Sequence, residues 1–157
     1  WVLDPSPVPP GASIDGPLVS GGRLQNWKEL GEASKKERSL IIKASGFHET
    51  AWGARSVVVG EDVSFADWVQ AVEHALANFP HPVSILQEFK KPVTMSHPVY
   101  NESGMIEPMK GRLRLSPYYF LNEGKAYLTG ALATFCPADK KVIHGMKDGA
   151  LLPCPIN

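Results

Sequence analysis

Apolar and polar positions change period several times along this chain, and each change marks an element. Residues 1–22 have no period: Pro5, Pro7, Pro9, Pro10, Gly11, Gly16, Pro17, Gly21 and Gly22 crowd the segment. Such a composition sustains neither a helix nor a central strand, so an extended lead-in is expected. Leu24, Trp27 and Leu30 then fall three apart, the spacing of a short helix over 24–31. The run Ser-Leu-Ile-Ile-Lys-Ala at 39–44 is apolar up to Lys43 and reads as a buried strand. Residues 46–53 read as a glycine-bearing loop. Ser-Val-Val-Val-Gly at 56–60 reads as a second strand, antiparallel to the first because the connection is short.

The clearest helix starts at Ser64, a good N-cap, with Asp67 placed to favour the positive end of the helix dipole. Phe65, Trp68, Val69, Val72, Ala75, Leu76 and Phe79 form one apolar stripe at helical period, and Pro80 and Pro82 stop it. A stripe that regular is core rather than site. Residues 83–89 form a third strand. Residues 90–110 hold Pro92, Pro98 and Pro108 with little periodicity, so a long loop is expected, of the kind that is usually functional or mobile. Alternation makes 112–120 a fourth strand, Asn122-Glu-Gly-Lys a hairpin turn, and 125–136 a returning fifth strand. The expected fold class is α+β, with antiparallel sheets and one long packed helix. The lead-in 1–22 precedes a domain over 23–157 made of two parts, 23–89 and 90–157.

Composition narrows the partners. The chain has 157 residues, with 16 basic and 16 acidic side chains and a formal net charge of zero. Without a basic excess there is no electrostatic reason to expect nucleic acid or an anionic membrane surface as partner. Any anion site is therefore local. No apolar run approaches the roughly 20 residues that span a bilayer, and no signal-peptide pattern stands out. Cys136 and Cys154 match no metal spacing and are too few for a disulfide framework. A cytoplasmic protein is expected. The sequence begins at Trp1 and ends on Pro-Ile-Asn, which reads as a segment of a longer polypeptide whose remainder is a partner in itself.

The candidate chemistry starts at Lys43. A lysine at the end of an apolar strand is costly to bury unless it meets an anion. After it come Ser45, Gly46, His48, Thr50, Gly53, Arg55 and Ser56: glycines that let backbone N–H groups approach a phosphate, hydroxyl donors, and a second cation. Trp52 is the ring in this loop able to fold over a nucleotide. The competing reading has Lys43 snorkelling to solvent over a plain hairpin. Neither a Walker loop nor a dinucleotide fingerprint is present. Downstream, Arg112 and Arg114 alternate on one strand, so their guanidinium groups share a face about 7 Å apart at the root. They suit a phosphate or carboxylate, or else they line an exposed face with Leu113 and Leu115 inward. His144, Lys147 and Asp148 fall in one Gly-flanked turn, either an acid–base grouping or local turn chemistry.

The order of parts over 38–89 adds a resemblance. A strand ending in Lys43, a glycine-bearing loop, a strand, a capped helix and an apolar strand ending in Gln87-Glu88-Phe89 together resemble the nucleotide-binding half of the ATP-grasp superfamily. The resemblance implies that Lys43 meets the ATP phosphates, that residues 46–53 cover them, and that Glu88 and Phe89 form the adenine hinge after Gln87. It implies ATP as cofactor, with Mg²⁺, and the activation of a carboxylate before attack by an amine or thiol. The carboxylate ligands that such enzymes carry on late strands are not recognisable here: Glu102, Glu107 and Glu123 fall in loops. Three readings follow. One is an ATP-binding domain of a ligase-like protein, another is a non-catalytic interaction module of the same ancestry, and the last is an unrelated α+β domain.

Overall fold

The computed structural model describes residues 1–46, 48–143 and 148–154, and for 52–54 the backbone alone. It is a mixed α/β structure in which every described sheet pairing is antiparallel and one α-helix is present among the described residues. The chain divides into two units, Trp1–Lys90 and Lys91–Asn157.

The first unit is built on β3 (Leu40–Ala44), the central strand of the order β4-β3-β5, with β4 at Val58–Val59 and β5 at Ser84–Glu88. Register pairs Ile42 with Val58 on one side and Leu86 on the other, and Lys43 with Ile85. Helix α1 (Phe65–Ala77) packs its stripe on this sheet. Trp68, Val72, Ala75 and Leu76 bury against Leu40, Ile42 and Leu86, each large side chain contributing about 1.5–3 kcal/mol of transfer free energy. Phe65 and Phe79, at the ends of the stripe, are exposed and half-buried.

Start signals of α1 work as the sequence suggests. The Ser64 hydroxyl accepts from the Asp67 amide at 3.1 Å and donates to the Asp67 carboxylate at 2.7 Å. Arg38, buried just before β3, donates to the Ser64 carbonyl at 3.0 Å and so ties the cap to the sheet. Gly60 lies where no side chain fits: an added Cβ would stand 2.7 Å from the Arg38 carbonyl and 2.9 Å from the Trp68 ring. The helix ends at Ala77, capped by Asn78, before either proline is reached.

Segment 24–31 forms a 3₁₀ turn, Trp27–Glu32, shorter and tighter than the expected helix. It joins the core through Leu30, whose carbonyl accepts the Trp68 indole N–H at 2.8 Å. The Pro/Gly-rich segment contributes more than a connection. Leu3 is fully buried, Val2 bridges Ile85, and the Trp1 and Leu3 backbones pair with Leu86 and Ser84. A two-residue hairpin, β1 (Leu18–Val19) and β2 (Gly22–Arg23), turns through Ser20 and Gly21, both at positive φ. Glu37 fastens it, accepting the Ser34 and Ser20 amides at 2.8 and 2.7 Å; hydrogen bonding from the Ser34 side chain first, and then from these two amides, holds its carboxyl below the usual carboxylate range.

The second unit is a four-stranded sheet in the order β6-β7-β8-β9: Thr94–Tyr100, Ile106–Asn122, Lys125–Pro137 and Ala150–Leu152. The long loop expected over 90–110 is instead mostly a hairpin. Its prolines are tolerated because Pro98 stands opposite Pro108. The Asn101 amide bonds to the Met105 carbonyl, marking odd positions of β6 as the hydrogen-bonded ones. Pro98 therefore sits where no amide is required by β7. Val99, Ala133, Phe135 and Cys136 are buried at the base of this sheet. No helix among the described residues is long and apolar enough to cross a membrane.

Trp68→Ala is expected to cost about 3–5 kcal/mol in chemical denaturation, and Trp68→Phe less, losing mainly the bond to Leu30. Because the carboxyl of Glu37 is lowered, its contribution is present above the ordinary carboxylate pKa and lost as pH falls through the lowered value. An acid titration should move the Ser20 and Ser34 amide resonances together in that window, and Glu37→Gln should abolish the step.

Candidate functional site

Parity on β3 divides the candidate residues. Leu40 and Ile42 are buried beneath α1, so Ile41 and Lys43 project from the opposite face. Directly paired residues share a face, which puts Val59 and Gln87 beside Ile41 and Ile85 beside Lys43. Ser45 continues the same row, its amide donating to the Val83 carbonyl at 2.8 Å. Beyond Ser45 and Val83 the row opens into a cleft of ≈ 500 Å³, completed by Gly46, His48, Pro80, His81 and Pro82. Two strand positions separate Lys43 from Ser45, about 7 Å at the backbone, within the reach of a lysine side chain. Among the described residues Lys43 has no carboxylate partner. Its half-buried stem and unpaired ammonium are what an anion site requires.

Gly46 sits at φ +81° with no heavy atom within 4 Å of an added Cβ. Glycine is needed there for the left-handed turn and not for room. The turn lifts the chain into a 3₁₀ segment, Glu49–Ala54, capped by His48. His48 Nδ1 accepts the Thr50 amide at 3.3 Å and lies 2.8 Å from the Thr50 hydroxyl. That contact makes Nδ1 an acceptor and puts the neutral ring's proton on Nε2.

The other candidates divide. Gly53 lies inside the 3₁₀ segment. Arg55, carried past it, lines a separate cavity of ≈ 320 Å³ on the α1 side of the sheet, with Ile42, Ala44, His74, Asn78 and Ser84. Gln87 is exposed on the Lys43 face, one pair further along. Glu88 stands opposite Leu40 and forms an ion pair with Lys90. Phe89 has its backbone engaged: its amide donates to the Ser39 carbonyl at 2.9 Å and its carbonyl accepts the Ser39 hydroxyl at 3.3 Å.

Arg112 and Arg114 belong to the second unit, where each donates to a main-chain carbonyl. Arg112 reaches Lys140 at 3.1 Å and Arg114 reaches Ile143 at 2.9 Å. Their shared face thus anchors the segment following β8. The Trp52 ring and the turn from His144 to Lys147 lie outside the described residues.

Lys43, Ser45, Gly46, His48 and Gln87 are therefore brought to one face or its adjoining cleft, with Phe89 at the far end of the same row through its pairing with Ser39, while Arg55 and Glu88 fall on the helix side. Sequence reading missed His81. It sits between two prolines just past the helix, and only the Ser45–Val83 pairing brings it beside Gly46. Among the described residues no three His, Cys, Asp or Glu side chains gather to hold a metal ion. No family model, curated protein or solved structure matches this chain.

Arg112→Ala is expected to destabilise the protein by about 1–3 kcal/mol, because it strips the Lys140 carbonyl of a charged donor. Lys43→Ala should stay within about 0.5 kcal/mol of the parent, because its ammonium makes no charge pair among the described residues. Denaturant titrations of the two variants check the contrast.

Proposed function

We propose that the first unit binds ATP through its outer sheet face, as an ATP-grasp-like nucleotide-binding module. The observation that carries this reading is the Lys43 ammonium, without a carboxylate partner among the described residues, on a row that runs through Ser45 into the cleft at Gly46 and His48. In it, Lys43 neutralises phosphate oxygens, the Ser45 hydroxyl and the backbone at Gly46 donate hydrogen bonds, and Gln87 lies along the same face toward the base. A cleft of this volume falls within the range of small-molecule sites. The reaction served by such modules is activation of a carboxylate as an acyl phosphate, followed by attack of an amine or thiol. Lys43 would act in it by positioning and electrostatics, without covalent chemistry.

A second reading, a non-catalytic interaction module of the same ancestry, is favoured by one specific observation. Arg112 and Arg114 spend their guanidinium donors on carbonyls of their own unit. On that reading nucleotide is bound without magnesium, or not at all.

Calorimetric titration with a non-hydrolysable ATP analogue, with and without Mg²⁺, tests the proposal. Binding should be lost or weakened about 10–100-fold in Lys43→Ala, the worth of one charge-assisted phosphate contact, and partly retained in Lys43→Arg. Equal affinity in Lys43→Ala and the parent would remove the proposal. Binding that needs no Mg²⁺ would favour the non-catalytic form.

A further inference from the structure

The sheet face beneath α1 is not filled along its whole length. Val58, Ile42 and Leu86 form one row across the three strands and pack into the core with Trp68 and Val72. Two residues further along, about 7 Å, the positions that follow are Ser56, Ala44 and Ser84. Opposite them the helix presents Ala71 and Ala75. Small side chains in both layers leave the cavity of ≈ 320 Å³ that Arg55 lines. Protein interiors are close-packed and hold few voids larger than a water molecule, so a gap of this size calls for an occupant.

We infer that this cavity binds a short branched aliphatic carboxylate carrying an oxo or hydroxyl group, at a site separate from the outer-face cleft. Three observations select that ligand. The first is charge. Among the described residues the wall holds two basic side chains, Arg55 and His74, and no carboxylate. Both are exposed, which puts the anion at the mouth. The planar guanidinium of Arg55 suits a carboxylate there.

The second is Ser84. It is only 7% exposed and faces the cavity beside its partner Ala44. Its hydroxyl has no hydrogen-bond partner among the described residues. A buried hydroxyl left unbonded costs free energy that a ligand oxygen recovers. The third is the apolar lining. Ile42 and Ala75 are buried, with Val58, Ala44 and Ala71 beside them. Water alone would bond Ser84 but would wet these groups, whereas a ligand with a polar head and a branched tail satisfies both. Phosphate, polar on every side, would leave the apolar lining uncovered. The volume lies at the lower end of the roughly 300–1,000 Å³ of small-molecule sites, which limits the ligand to a few carbons.

Methyl-resolved NMR titration of the whole chain with α-ketoisovalerate tests the inference. Saturable shifts are expected at the Ala44, Val58, Ala71 and Ala75 methyls, with Ile41 and Ile85 on the outer face unmoved. Arg55→Gln should weaken binding about tenfold or more, and Ser84→Ala should weaken it less. Acetate, which lacks the tail, and the neutral amide of the probe should each bind about tenfold more weakly than the probe itself. Ala71→Leu, which fills the cavity, should abolish the shifts without lowering the melting temperature, which separates lost binding from lost folding. Shifts that do not saturate, or that reach Ile41 and Ile85 equally, overturn the inference. So does an affinity that Arg55→Gln leaves unchanged or that acetate matches.

Discussion

Burying Leu40 and Ile42 beneath α1 obliges Lys43 to face the other way, and much of the first unit follows from that alternation. A slip of one residue of β3 in its pairing with β5 would push an ammonium into the core beside Trp68 and turn Leu40 and Ile42 to solvent. The costs run the same way, since a buried unpaired cation and several exposed large apolar side chains both disfavour the slipped state. Register is therefore specified by the core, and the position of the candidate site is a consequence of it. Arg38 and Gly60 reinforce this by fixing how the chain enters β3 and how closely it passes Trp68.

The same alternation explains how neighbours in sequence part company. Lys43 and Arg55 are close along the chain, but the left-handed turn at Gly46 and the 3₁₀ segment after it carry Arg55 round to the helix side. His81, distant in sequence, arrives beside Gly46 through the pairing of Ser45 with Val83. A phosphate approaching the outer face would meet Lys43, Ser45 and the Gly46 turn in succession. Arg55 would have no part in that encounter.

Elements whose signal is local were legible in the sequence. Ser64, the stripe from Trp68 to Leu76 and the apolar runs at 39–44 and 83–89 each stated their structure in a few residues, and α1, β3 and β5 lie there. What was not legible depends on partners far along the chain. Leu3 looks like an unremarkable residue in a proline-rich stretch, yet it is buried because Val2 pairs with Ile85. The β6–β7 hairpin was hidden by Pro98 and Pro108, whose cost vanishes only when they stand opposite each other at positions needing no amide. Arg112 and Arg114 show the limit for sites. Their spacing implies a shared face, but nothing nearby says that the carbonyls of Lys140 and Ile143 will occupy them.

The most direct test of the central claim is a chemical-shift titration of isotopically labelled protein with a non-hydrolysable ATP analogue. The outer-face site predicts perturbations at the Ser45, Gly46 and Gln87 amides and at the Lys43 side chain, with Ala71, His74 and Ala75 on the helix side unmoved. Perturbations gathered around Ala71, His74 and Arg55, or none at saturating nucleotide, would contradict it.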